Sequence, residues 1–421
     1  ILFLPTLLPT LDNYTQLGIY SRSHSNLPLG RLRLPEDIPG PLALIMKNMK
    51  IKFNFWLIFL FLSPFLTKAQ LLPEDEEFIS EYIIQNNIPG LSISIVKNSE
   101  IVYSKGFGVK NNSTKEIVND STLFQAASLS KSLTAALVLK NVEKGKIHLD
   151  SSINNYLNDW KLETRKKKDN YEPTVSQLLS HTGGTNVHGF LGYKSTNKPP
   201  NLVEVLNGER FLEPKIVIKN RPNTQFDYSG GGYCVIQQAL IDINQKDFNK
   251  QMNEEILNFC GMGSSFYSVN LNAERLEQIA IGHRKNGTPL KSGYYNYPQY
   301  AAGGLWSTPS DLAKFLIQIQ KSINSESSEN LLSQQSIERL LERPILEDGK
   351  KPRYGLGLGF KIDSTTNEIL TLAHDGANVG YSSFMEASKK NEYAFVILCN
   401  RHFADLSGIR KRILSRIQKN N

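Results

Sequence analysis

Phe124-Gln125-Ala126-Ala127-Ser128-Leu129-Ser130-Lys131 opens the most regular helical pattern in the chain. Leu133, Ala136, Leu137 and Val142 follow at helix-compatible spacing and Gly145 offers a terminator, so the pattern predicts a helix over 128–143. Ser-x-x-Lys occurs three times, at Ser94/Lys97, Ser128/Lys131 and Ser195/Lys198. The first pair lies on a predicted strand, where residues three apart point to opposite faces. The third lies in a polar, Pro-containing loop. Only Ser128 and Lys131 share a predicted helix, where this spacing puts both side chains on one face within reach of each other.

A serine hydroxyl becomes a useful nucleophile only when a base takes its proton, and a lysine can be that base only where burial or a neighbouring cation makes its neutral form accessible. Ser128 opens its helix, where backbone N–H groups and the positive dipole end favour developing negative charge. Taken alone, the two residues are equally an N-cap serine followed by a solvated lysine.

Working outward, residues 91–96 alternate apolar and serine positions with a strand period. Lys97-Asn98-Ser99-Glu100 is turn chemistry, and residues 101–103 continue as the second arm of an antiparallel hairpin ending at Gly106-Phe107-Gly108. A helix precedes it at 74–85. Residues 355–362, 369–373, 382–387 and 393–398 are strand-like, and 406–417 form an amphipathic helix. Between them, about 149–340 is mainly helical and loop-like, with helix candidates at 175–179, 233–243 and 310–320. A hairpin cannot bury a face alone, so the economical α/β (α+β) arrangement is one antiparallel sheet from both chain ends (about 88–110 and 355–400), covered by helices on both faces.

The net charge of +8 divides into +4 from residues 1–69, where seven Lys or Arg stand against three acids, and +4 from the rest. No basic run with interleaved aromatics occurs after residue 70, so no nucleic-acid partner is expected. Residues 1–45 are Leu/Pro-rich without period and read as an upstream extension. Lys47, Lys50 and Lys52 then precede the apolar run 53–66, and Thr67-Lys68-Ala69 supplies small residues at a cleavage site. Residues 46–69 therefore read as a signal peptide, too short to span a membrane, which implies an exported, periplasmic or extracellular protein with its folded domain over 70–421. Cys234, Cys260 and Cys399 make no disulfide framework and read as buried thiols. No metal-ligand spacing is present, so neither metal nor cofactor is expected. A monomer is the default expectation.

Other segments join Phe124–Lys131 in order: Leu178-Leu179-Ser180-His181-Thr182-Gly183-Gly184, Phe226-Asp227-Tyr228-Ser229-Gly230, Ala302-Gly303-Gly304-Leu305-Trp306-Ser307-Thr308 with Asp311-Leu312, and His374-Asp375-Gly376. The set resembles the serine beta-lactamase-related family, which includes class C beta-lactamases, D-alanyl-D-alanine carboxypeptidases, D-aminopeptidases and lactamase-like esterases. The resemblance covers about 88–400 and implies a beta-lactamase/transpeptidase-like fold and a serine hydrolase acting through an acyl-enzyme on a small-molecule or peptide substrate. It makes Ser128 the nucleophile, Lys131 its base and Tyr228 the proton shuttle. A phenol near ammonium groups is expected to have its anionic form favoured. His374-Asp375-Gly376 takes the Lys/His-x-Gly place on an edge strand, Gly376 allowing close approach of substrate and Ala377 N–H joining that of Ser128 as oxyanion donor. His181 and residues 302–308 read as structural.

Two positions depart from the pattern. Many members carry Tyr-x-Asn, and here Gly230 stands in the asparagine's place, which removes a side-chain donor worth on the order of a hundredfold in rate. His374 replaces lysine, and a neutral imidazole holds a substrate carboxylate less strongly than a permanent cation. Esters and D-amino-acid peptides are thus expected at least as readily as beta-lactams. The alternative is a catalytically silent penicillin-binding or cell-wall binding module with the same fold. An alpha/beta-hydrolase is disfavoured because the chain has no Gly-x-Ser-x-Gly elbow.

Overall fold

A computed structural model of the chain describes residues 71–166, 169–209 and 213–419. The expected extension (1–45) and signal peptide (46–69) lie outside these residues. The two chain ends build one six-stranded antiparallel sheet. Its strands are β1 (Gly90–Lys97), β2 (Glu100–Gly108), β3 (Gly359–Ile362), β4 (Ile369–Asn378), β5 (Tyr381–Ser388) and β6 (Tyr393–Cys399). Their spatial order is β2-β1-β6-β5-β4-β3. The main helices are α1 (Pro73–Gln85), α2 (Ser130–Glu143), α3 (Gly230–Asn244), α4 (Pro309–Asn324) and α5 (Ser407–Lys419).

The hairpin β1–β2 closes through Asn98 and Ser99, with φ of 50° and 65°. Positive φ at both central residues is the geometry whose twist matches paired strands. The register Leu91↔Cys399, Ile93↔Ile397 and Ile95↔Phe395 then joins the two ends of the sequence. Leu91, Ile93, Ile95, Phe395 and Ile397 face α1 and α5, where Ile79, Ile83, Ile409 and Ile413 complete a core. Val96, Val396, Leu398 and Met385 face the opposite core, which α2, α3 and α4 share. Serines on the second face let α4 lie close, and Ser104 and Ser310 hydroxyls meet at 2.8 Å. The terminal helices are tied by the buried Asp75 carboxylate, which accepts from Leu72 N–H (2.9 Å), Arg412 Nε (2.5 Å) and Arg416 Nε (2.7 Å).

Two boundaries differ from the sequence expectation. Ser128 lies in a 3-10 turn, Ala127–Leu129, and α2 proper starts at Ser130. The strand expected from 355 begins at Gly359. Gly357 has a φ of +75°, and a Cβ there would stand 2.8 Å from both Lys131 O and Ala135 Cβ. Backbone pressed this closely onto α2 forms a turn rather than a strand.

Ile397 is fully buried between sheet and helices. Ile397→Ala is expected to lower unfolding free energy by about 2–5 kcal/mol, read from urea denaturation.

Candidate active site

A short strand, Phe124–Gln125, pairs with Leu305–Ser307 and leads directly into the Ser128 turn. Ala126 N–H donates to Leu305 O at 2.9 Å, and Ser383 Oγ on β5 donates to Ala126 O at 2.7 Å. Ala127 has a φ of +49°. A residue with a Cβ enters that region only where its surroundings hold it there. Here Ser130 Oγ donates to Ala127 O (2.7 Å) and accepts from Leu305 N–H (3.1 Å), so the turn is fixed from both sides. Ser128 projects from it, half-buried.

Lys131 follows in the first turn of α2 and is 2% exposed. Its Nζ donates to Ser128 Oγ at 3.0 Å and to Ala302 O at 2.6 Å. The same Nζ lies 5.0 Å from the centre of the Tyr228 ring and 5.5 Å from that of Tyr233. Loss of hydration is the largest influence and pulls the ammonium from its ordinary value near 10.5 down to about 7, against a smaller upward pull from Cys234 and the Asp375 carboxylate. Ala302 O was not anticipated as a contact of the lysine. It comes from the Ala302–Thr308 segment whose role was read as structural.

Tyr228 sits immediately before α3, held through its neighbours: Asp227 N–H donates to His181 O (2.8 Å) and Ser229 N–H to His181 Nδ1 (3.0 Å). Its ring centroid is 4.1 Å from that of His181, and its hydroxyl lies close enough to Ser128 to feel that side chain. The expected anionic phenol is not found. Burial raises its pKa well above the ordinary value, outweighing the lowering by the Ser128 contact, and the Asp375 charge adds to the rise. Tyr228 is therefore a neutral phenol beside a lysine that readily loses its own proton.

β4 supplies the facing wall. β3 pairs with it only as far as Gly359↔Ala373, so the edge of 374–378 extends past β3. Phe360 N–H turns away to Arg353 O (2.9 Å), which leaves Gly359 and Lys361 bonding toward β4. Alternation along an antiparallel ladder then points the Asp375 and Ala377 amides to that open edge. A Cβ at Gly376 would stand 2.8 Å from Ser128 N and 2.4 Å from Ser383 Oγ, so only glycine lets β4 close on the Ser128 turn. The backbone of β4 at Gly376, next to Ala377, is thereby brought against Ser128 N.

His374 is buried, and neither of its nitrogens is free: Nε2 meets Tyr354 Oη at 2.9 Å and Nδ1 meets Asp375 O at 2.6 Å. Burial takes its pKa down to about 4, with the Lys131 charge lowering and Asp375 raising it. His181 is also buried and far below its ordinary pKa, as its structural reading requires. Gly230 is the first residue of α3, and its N–H is committed to His188 O at 2.9 Å. Its N–H is thus not available to a substrate, a correction to its expected place among the substrate contacts. A side chain at 230 would meet His188 O and the Phe190 ring, each 3.2 Å from its Cβ. Tyr354 was missed; the only sequence signal was an aromatic directly before Gly355-Leu356-Gly357, one residue ahead of the strand expected at 355–362.

The family model described as Beta-lactamase matches residues 76–417. "Protein flp" of Staphylococcus aureus (strain MRSA252) is 25% identical over 334 residues, covering 77% of this chain and 62% of that protein. The chain thus spans less than two thirds of that relative's length. The octameric penicillin-binding protein homologue from Pyrococcus abyssi superposes with a TM-score of 0.66 at 25% identity, over 83% of this chain and 77% of the other. EstCE1, a hydrolase with promiscuous acyltransferase activity, superposes with a TM-score of 0.63 at 16% identity, over 82% and 97% of the two chains.

A lysine that is charged in the unfolded chain up to about pH 10.5 but only to about 7 in the folded one makes the unfolded state bind more protons in between. Its contribution therefore raises stability as pH climbs through that window. Comparing urea midpoints of the wild type and Lys131→Met at pH 7 and 10, any advantage of the methionine is expected to shrink at the higher pH.

Proposed function

The chain belongs to the Beta-lactamase family, and on that premise we propose that it is a serine hydrolase that turns over amides or esters through an acyl-enzyme at Ser128. The observation that carries this reading is a buried Lys131 whose Nζ touches Ser128 Oγ at 3.0 Å and whose ammonium dissociates at about pH 7. In its neutral form the same contact reverses: Ser128 O–H donates to the Nζ lone pair. Lys131 takes that proton as Ser128 Oγ bonds to the substrate carbonyl carbon. The oxyanion that forms faces the N–H groups of Ser128 and Ala377. Tyr228, protonated and beside Ser128, gives its proton to the leaving oxygen or nitrogen as that bond breaks and regains one from the Lys131 ammonium. Water then attacks the acyl carbon, its proton passing to the base and from there to Ser128 Oγ as the acyl–oxygen bond breaks, releasing a carboxylic acid and the free serine.

The substrate is a small ester, a D-amino-acid peptide or a beta-lactam. Esters and D-peptides fit at least as well as beta-lactams, because Gly230 offers no side-chain donor and its N–H is occupied. Export belongs to the same proposal, resting on the Lys47–Lys52 cluster and the apolar run before Ala69.

Intact-mass analysis after incubation with p-nitrophenyl acetate, a D-Ala-D-Ala peptide and a penicillin tests the reading. An acyl adduct mapped to Ser128 with at least one of them is expected, and Ser128→Ala should abolish it and cut ester turnover on the order of 10⁴-fold or more. The acylation rate should rise with pH up to about 7 and then level, as Lys131 becomes neutral. No adduct with any probe would instead favour the silent binding module, and a persistent adduct on another serine would contradict the assignment of Ser128.

A further inference from the structure

A chain of hydrogen bonds crosses the floor of the site, and its two ends determine where every proton sits. At one end Ser229 N–H reaches His181 Nδ1 at 3.0 Å. A backbone N–H can only donate, so His181 Nδ1 is bare and its proton is on Nε2, which meets Tyr354 Oη at 3.3 Å. At the other end His374 Nδ1 meets Asp375 O at 2.6 Å. A carbonyl oxygen can only accept, so His374 carries its proton on Nδ1. Tyr354 then accepts from His181 and donates to His374 Nε2 at 2.9 Å.

We infer that Tyr354 is a positioning residue that locks His374 in the neutral Nδ1–H tautomer, and that the site thereby selects acyl substrates whose leaving group carries no negative charge, which narrows the proposed substrates to neutral esters and to D-peptides without a terminal carboxylate on the leaving side. Both His374 nitrogens are used within the protein, so it presents no N–H to an anion in the cleft. Lys131 beside it has two of its three ammonium donors engaged, by Ser128 Oγ and Ala302 O, and is buried. The specificity half of this inference rests on the acyl-enzyme reading above; the tautomer half does not.

The groups facing His374 act together. Lys131 from α2 disfavours its protonation, Asp375 on its own strand favours it, and burial outweighs both. Tyr228 and Tyr354 place their rings 6.2 and 5.8 Å away. His181 is coupled to it through Tyr354 and also feels the charge of His374. Tyr233, close by, has its own O–H donated to Leu179 O at 2.8 Å. If His374 were protonated on both nitrogens, the Tyr354 hydroxyl would lose its acceptor at Nε2. The neutral histidine keeps it on Nε2.

The test is made on the mature enzyme in two parts. Long-range ¹H–¹⁵N NMR of the His374 ring at pH 7 should show Nδ1 protonated and Nε2 bare in the wild type. In Tyr354→Phe the Nε2 should gain protonation as pH falls to 5. An Nε2–H tautomer or an imidazolium in the wild type at pH 7 would overturn the lock, and that spectrum needs no variant to fold. The second part compares kcat/KM for phenyl acetate and 3-acetoxybenzoate, which differ by a carboxylate on the leaving group. The wild type should prefer the neutral ester by about tenfold or more. Tyr354→Phe should narrow the gap severalfold at pH 5, where the freed imidazole becomes a cation. A wild type indifferent to the carboxylate, or a variant with an unchanged ratio, would overturn the selectivity. Failure to acylate Ser128 with phenyl acetate would instead remove the hydrolase reading and leave the tautomer to the NMR.

Discussion

An ammonium group with its water stripped away, held against a serine hydroxyl, is the constraint on which the rest of the site depends. Lys131 stays there only because several elements close over it. α2 carries it, the Ala302 carbonyl accepts one of its protons, Tyr228 and Tyr233 present ring faces, and β4 closes beside the Ser128 turn. Desolvation costs stability while the group is charged, and that is the condition under which a lysine becomes a base near neutral pH. An exposed lysine at the same distance would remain charged and chemically idle.

The architecture serves that burial. Joining the two chain ends in one sheet places β4 beside a turn far away in sequence, and Ser383 and Gly376 fix the spacing between them. Because pairing with β3 ends at Gly359↔Ala373, β4 reaches the site with an edge that β3 does not cover. An edge strand is normally a liability to be covered. Here it is short, and its open amides lie next to Ser128. Gly357 performs a similar service on the other side of α2, bringing the Tyr354 turn against Lys131 backbone.

Much of this was legible in the sequence because it follows from period and spacing. Ser128 and Lys131 could be paired by helical geometry and the both-ends sheet by strand periodicity, while the role of Ala377 came only from the family resemblance of His374-Asp375-Gly376. What escaped depended on close packing between distant segments. Tyr354 looks like any aromatic near glycines until the fold sets it between two histidines. Reading 355–362 as one strand failed because Gly357 is pressed onto Lys131 O, a contact that leaves no trace in hydrophobic period. The anionic form of Tyr228 was expected from charge proximity alone, and the expectation failed because burial outweighs the lowering by Ser128 and the Asp375 charge adds to the rise. At Gly230 the missing side chain was evident, but not that His188 O takes up its N–H.

If burial of Lys131 is the governing interaction, its own titration is the most direct evidence. With ¹³Cε-labelled lysine, the Lys131 signal, assigned by its absence in Lys131→Met, should titrate near pH 7 in the folded protein. A midpoint at the ordinary value above 10 would mean that the ammonium persists beside Ser128 at neutral pH, and would contradict the account.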